Sequence, residues 1–186
     1  YARQRIKSNI TYADFLTLNK QRRSIRYFLD KQVPRTLIEK AIEVAAESPS
    51  ACNRQPFVFR VIDDPELLKE AVLLPNGAQT FSESIKVMIF LIGDHSNYFS
   101  ERDKHLIYID ASLAAMSFIL ALETLDISSC IVNWADIESN NLRLKNFLQL
   151  EYWEQCIMSI AIGYASPDCR VASSVKKEIK TLVKYN

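Results

Sequence analysis

The chain has 186 residues, a net charge of +1 and 48% hydrophobic against 24% charged residues, the balance of a globular protein. That length suits one domain, 1–186, and so small a charge argues against nucleic acid as a partner. Cys52, Cys130, Cys156 and Cys169 form no C-x-x-C pair and only two His are present, so no metal site is expected and the thiols read as reduced, in a cytoplasmic protein.

The chain begins at Tyr1 rather than Met, as a fragment of a longer protein would. Arg3, Arg5 and Lys7 have no apolar run behind them, so no signal peptide is expected. Residues 12–21 read as a short helix with Phe15 and Leu18 on one face, and 24–28 as an extended bridge. Pro34 opens a helix over 34–47, where Leu37, Ile38, Ala41, Ile42 and Ala45 recur at helical spacing. A strand over 57–62 and a helix from Pro65 to about Leu73 follow. Residues 85–92 are a continuous apolar run, the mark of a buried strand. Residues 105–125 predict a long helix, apolar nearly all round and hence buried, with Met116, Phe118, Ile119 and Leu122 in the core. Its most apolar part, 111–122, lies between Asp110 and Glu123 and is too short to span a bilayer, so no membrane contact is expected. A strand over 127–133, a helix over 137–148, a strand over 157–163 and a last helix over 175–184 complete the chain. The fold class is α+β (mixed α/β), a central mixed sheet flanked by helices. Neither G-x-G-x-x-G nor a Walker loop follows any strand.

Arg22, Arg23, Ser24 and Arg26 straddle a helix end and an extended stretch. Alternate side chains of an extended segment share a face, so Ser24 and Arg26 point together while Arg22 reaches in from the helix. Paired guanidinium donors and a hydroxyl suit a phosphate dianion. Spacing alone nevertheless favours a solvated surface cluster. Residues 49–56, Pro-Ser-Ala-Cys-Asn-Arg-Gln-Pro, carry amides and a hydroxyl that suit a flat polar heterocycle. Alone, they fit an ordinary turn better.

Together these runs resemble the opening pattern of the nitroreductase family, in order and spacing. The resemblance continues through 108–116 (Tyr-Ile-Asp-Ala-Ser-Leu-Ala-Ala-Met), 125–134, 160–164 (Ile-Ala-Ile-Gly-Tyr) and 174–177 (Ser-Val-Lys-Lys). It implies a nitroreductase-like fold and a homodimer that shares non-covalent FMN sites, with NADH or NADPH as electron donor and a small-molecule acceptor. It implies that Arg22, Arg23, Ser24 and Arg26 surround the ribityl phosphate, helped by Lys176 or Lys177. It implies that Pro49, Ser50, Asn53 and Gln55 line the flavin from the opposite subunit. The backbone at Val132, Asn133 and Trp134 would then approach the N5 side of the ring. No catalytic side chain is expected, because the flavin carries the chemistry and the protein supplies orientation and electrostatics.

The expected activity is hydride transfer from NAD(P)H through FMN to a nitro compound, quinone or similar electron-poor molecule. The alternative is an FMN-binding module with a structural or regulatory role; a third reading is a basic interaction module built on the Arg cluster. Two features depart from the family pattern. Asp126 stands where a Gly often permits positive φ, a conformation that Asp tolerates better than most residues. The chain is also short for the family, with little room for the insertions that wall the substrate channel. Cys52 reads as a small packing residue and Cys130 as a core strand residue. Trp134 suits either a flavin contact or a core plug. The polar stretch 94–104, flanked by His95 and His105 and holding Tyr98 and Phe99, reads as a solvated loop able to act as a lid.

Overall fold

The computed structural model describes residues 7–186; Arg3 and Arg5, read above as part of a polar start, lie outside them. Four strands, β1 (Phe57–Ile62), β2 (Val87–Asp94), β3 (Ser128–Asn133) and β4 (Glu154–Gly163), form one sheet in the order β1-β2-β4-β3. All three pairings are antiparallel. The parallel part of the expected mixed sheet shrinks to a single bridge, Ser24 to Ser129, at the β3 edge.

The central strand β2 explains its own sequence. Val87, Ile89 and Leu91 enter one core, while Met88, Phe90 and Ile92 enter the other. Successive side chains of a strand alternate faces, so a run with no polar interruption requires cover on both sides. On one side lie α2 (Arg35–Ala46) and α4 (Leu106–Thr124). The α4 residues Ala111, Ala114 and Ala115 are small enough to bring its axis close, and Phe118 then packs on Phe59 with ring centres 5.0 Å apart. On the other side lie α3 (Pro65–Ala71), α5 (Glu138–Leu148) and the turn carrying Phe81.

The helix starts follow local rules. Thr11 and Asp14 form a reciprocal capping box at α1 (Tyr12–Gln21), and Asp64 caps α3 just before Pro65. At the end of β4, a Cβ on Gly163 would stand 2.8 Å from the Phe28 ring. Only Gly lets Phe28 close the core there.

Three expectations need correction. The last helix, α6, is only Ile179–Leu182, because Val175, Ile179 and Leu182 are exposed among the described residues and so short a helix gains little from its own hydrogen bonds. Strand β4 starts at Glu154, ahead of Ile157, since β2 runs on to Asp94 and pairs with it past a register shift at Leu91/Ile92. The central helix is not buried all round. Met116 is 41% exposed and shares an open face with Tyr108, Ile109 and Leu113. The longer run Glu101–Thr124 has the length and apolarity to cross a bilayer, yet half of it is buried inside the fold, against the sheet and α2.

Candidate functional site

α1 ends at Gln21 and Arg22 turns into extended backbone. The Ile25 N–H donates to the Ser129 carbonyl at 3.0 Å, which fixes the bridge on β3, and the Ile25 side chain goes into the core. Ser24 and Arg26 therefore face outward together, as their spacing requires. A cleft of about 360 Å³ opens there, lined by Lys20, Arg22, Arg23, Ser24, Arg26 and, from the C-terminal stretch, Ser174 and Lys176 among others. Arg23 Nη2 donates to the Ala172 carbonyl at 2.6 Å and anchors that stretch. Lys177, named with Lys176 as a phosphate ligand, does not line the cleft. No carboxylate lines it, and none of its cations takes part in an ion pair among the described residues.

Behind the cleft lies the Cys130 thiol. Burial pushes it up, against the opposing pull of the Arg26 and Arg22 charges and a bond to Ser24. It is the core strand residue expected of it.

The polar loop has an unusual backbone. Cys52, Asn53 and Gln55 all have φ between 50 and 55°, the left-handed region that Gly normally fills. Each such residue costs on the order of 1 kcal/mol and persists only when its surroundings hold it. Here the Gln55 N–H donates to Ser50 Oγ at 3.0 Å, and the Asn53 N–H to the Ser50 carbonyl at 3.0 Å. The amides of Gln55 and Asn53 meet at 3.3 Å. Cys52 is exposed and not the packing residue expected, since its left-handed backbone turns it away from the core. Pro49, Asn53 and Gln55 are exposed and Ser50 half-buried, so the loop offers polar atoms outward; none of these residues lines the basic cleft.

Beneath the loop lies Asp110, a residue to which the sequence reading gave a place in the 108–116 block and at the edge of an apolar stretch, but no role in the site. It is 3% exposed and accepts from the Ala51 N–H at 3.1 Å and from the Tyr98 hydroxyl at 2.7 Å. Burial, then the bond to Asp110, push the Tyr98 phenol well above its ordinary range, so it stays a donor. The available signal was one acid set among buried helix positions, because a buried carboxyl needs partners from elsewhere. The lid stretch is likewise tied down: Arg54 Nη1 donates to the Asn97 carbonyl at 2.6 Å and its guanidinium sits over the Tyr98 and Phe99 rings.

At the end of β3, Val132 is buried and its carbonyl accepts from Ser159 Oγ at 3.0 Å, while Asn133 is exposed. The Trp134 indole plugs the core, edge-on to Phe90, and donates to Asn141 Oδ1 at 2.7 Å. Of its two readings, the core plug is the one observed. His95 Nε2 lies 3.5 Å from Gln155 Oε1.

The nitroreductase family model matches residues 20–84 and 69–164. The chain belongs to the nitroreductase family. A nitroreductase-family protein from Streptococcus pneumoniae TIGR4 is 25% identical and superposes with a TM-score of 0.80, over 92% of this chain and 100% of that one. The FMN-dependent nitroreductase of Clostridium difficile R20291, 22% identical, gives a TM-score of 0.78 over 92% of this chain and 98% of its own. Iodotyrosine deiodinase from Nematostella vectensis is 21% identical over 92% of this chain and 74% of its own length. The family match spans the Arg22–Arg26 side of the basic cleft, the polar loop and β3, and the fold is that of the nitroreductase family.

Proposed function

We propose that the chain is an FMN-dependent oxidoreductase that passes hydride from NADH or NADPH through the flavin to an electron-poor small molecule. The carrying observation is the cleft of Arg22, Arg23, Ser24, Arg26 and Lys176, a cation cluster without a counter-charge in a nitroreductase-family fold. Buried or cleft-bound cations are ordinarily paired, so an unpaired set that forks around a hydroxyl fits a phosphate dianion. The FMN phosphate would sit there. Pro49, Ser50, Asn53 and Gln55 would line the ring, and the main chain at Val132, Asn133 and Trp134 would approach it. Lys177 would contribute only through its long-range charge.

Bound FMN would supply the two-electron chemistry, and the residues of this chain would orient it and balance charge. The loop and the cleft are separate surfaces of one chain, which favours a homodimer in which one subunit gives the phosphate cleft and the other the loop. The open apolar face of Ile109, Leu113 and Met116 on α4 fits such an interface.

The test is direct. Apo protein is titrated with FMN and then reduced anaerobically with NADH or NADPH. The reduced protein is offered a nitroaromatic, a quinone and an iodinated tyrosine in turn. A yellow protein that bleaches with the donor and is reoxidised by an acceptor supports an enzyme. One that binds FMN yet does not bleach supports the module reading, and a colourless one rejects both.

A further inference from the structure

We infer that Asp110 is a positioning residue for the flavin, setting the main chain of the 50–55 loop through Ala51 and locking that loop to Tyr98; this rests on the loop facing FMN as proposed above. Asp110 sits early in α4 on the face that carries Ile107, Ala111 and Ala114 into the fold. A carboxyl there fills no role that a small apolar residue would not fill better for packing alone. Both of its hydrogen bonds reach outside its own helix, and both end on Oδ2. One holds the residue that opens the left-handed turn of Cys52 and Asn53. The other holds the start of the segment that bears Phe99, whose side chain is 82% exposed beside the loop.

A second tie joins the same two segments. Arg54, from the loop, clamps the Asn97 carbonyl and stacks over Tyr98 and Phe99. Loop and segment are thus fastened at two points, one buried and one exposed. The segment is also tied to the start of β4, where the His95 N–H donates to the Trp153 carbonyl at 3.0 Å, so Asp110 joins the loop to a body already held on the sheet. The ring-facing polar atoms of Ser50, Asn53 and Gln55 take their places from this link, whereas the basic cleft does not depend on it.

The consequence separates Asp110 from the phosphate ligands. Loosening the loop weakens any ligand that carries the flavin ring, with or without a phosphate. Tyr98→Phe removes the hydroxyl and keeps the ring under Arg54; Asp110→Ala removes the link; Asp110→Asn keeps an acceptor for Ala51. FMN and riboflavin affinities are measured by flavin fluorescence, with the bound-flavin absorption spectrum and the apo unfolding midpoint recorded for each variant. Tyr98→Phe should weaken both flavins by the same factor, about two- to tenfold for one hydrogen bond, and shift the visible band, with an apo unfolding transition lowered in midpoint but still cooperative. Asp110→Ala should weaken both further, and Asp110→Asn should recover part of the loss. If Asp110→Ala does not fold, Tyr98→Phe decides alone. Wild-type affinity and spectrum in Tyr98→Phe would overturn the assignment, as would loss of FMN binding alone in Asp110→Ala. A wild-type chain that binds neither flavin overturns the functional reading, and this one with it.

Discussion

Arg23 donates to the main-chain carbonyl of Ala172 at 2.6 Å, joining residues 149 positions apart. This bond draws the stretch after β4 over the basic cleft and brings Lys176 beside Arg22 and Arg26. It explains why a cluster that spacing alone assigns to plain surface becomes a concave site.

The cleft predicts a phosphate-selective defect. Arg22→Ala and Arg26→Ala should each weaken FMN and leave riboflavin almost unchanged. A charge-assisted bond is worth about 1.5–3 kcal/mol, roughly 10- to 150-fold in affinity. These side chains are partly open to water, so the lower end is expected. Lys176→Ala should have a smaller effect and Lys177→Ala less still, since only Lys176 lines the cleft. Flavin fluorescence titrations measure all four variants. Equal losses for FMN and riboflavin in Arg22→Ala would remove that residue from the phosphate site.

A backbone prediction concerns Asp126, which has φ of 58° at the turn between α4 and β3. The departure from a family Gly is therefore one of residue, not of conformation. Asp126→Gly should relieve left-handed strain of about 1 kcal/mol and lose about as much to the freer unfolded chain, leaving stability within about 1 kcal/mol of wild type. Asp126→Val cannot adopt this conformation cheaply and should destabilise by more than about 1 kcal/mol. Urea unfolding of the two variants checks the sign. A stable Asp126→Val chain would mean that the turn can rearrange.

Much of this architecture was readable from residue order. The β2 run of apolar residues and the 3.6-residue period of α2 gave their elements because local pattern and burial agree there. The site was half legible. Arg22, Arg23, Ser24 and Arg26 lie within five positions and stand out as a cluster, but spacing reads them as plain surface and does not bring in Lys176. The Asp110 link joins three separate parts of the chain, and no periodicity records a bond from a helix to a loop 59 positions earlier. Cys52 departs from expectation for a related reason: composition suggests a packing thiol, while the left-handed backbone decides where it points. The expected helix over 175–184 shortens to Ile179–Leu182 because its apolar residues Val175, Ile179 and Leu182 stay exposed, and pattern alone does not say whether a helix finds a surface to pack on.

The Arg35–Asp63 pair gives a pH prediction. Arg35 Nε and Nη2 meet both Asp63 oxygens at 2.6 and 2.8 Å, tying the start of α2 to the end of β1. The hydrogen bonds from Arg35 hold the Asp63 carboxyl below its ordinary value. A depressed carboxyl stabilises the fold above the unfolded value and loses that contribution as pH falls through the lower folded one. The wild-type advantage over Asp63→Asn should stay level from neutral pH down to about pH 4, the usual Asp range, and close below it. Denaturation midpoints from pH 7 to pH 2 would show this. An advantage that persists at the acid end would assign the effect to packing rather than to charge.

The last prediction uses the cysteines as reporters of the loop. Cys52 is exposed, Cys130 and Cys156 are buried, and Cys169 is intermediate. Burial pushes the Cys130 and Cys156 thiols up, so in the native protein they hold little thiolate and react slowly. A maleimide should label Cys52 first and Cys169 next, and peptide mapping distinguishes them. If the loop faces the flavin, saturating FMN should slow labelling of Cys52 and leave Cys169 less affected. Riboflavin at saturation should protect equally, because protection comes from the ring. Asn53→Ala should weaken both flavins by about two- to tenfold, the loss of one neutral hydrogen bond. Cys52→Ala should change affinity less, since the thiol projects from the loop without filling a core space. The ordering is the decisive point. Equal labelling of Cys52 with and without FMN, together with full affinity in Asn53→Ala, would place the flavin elsewhere and leave the loop a structural turn.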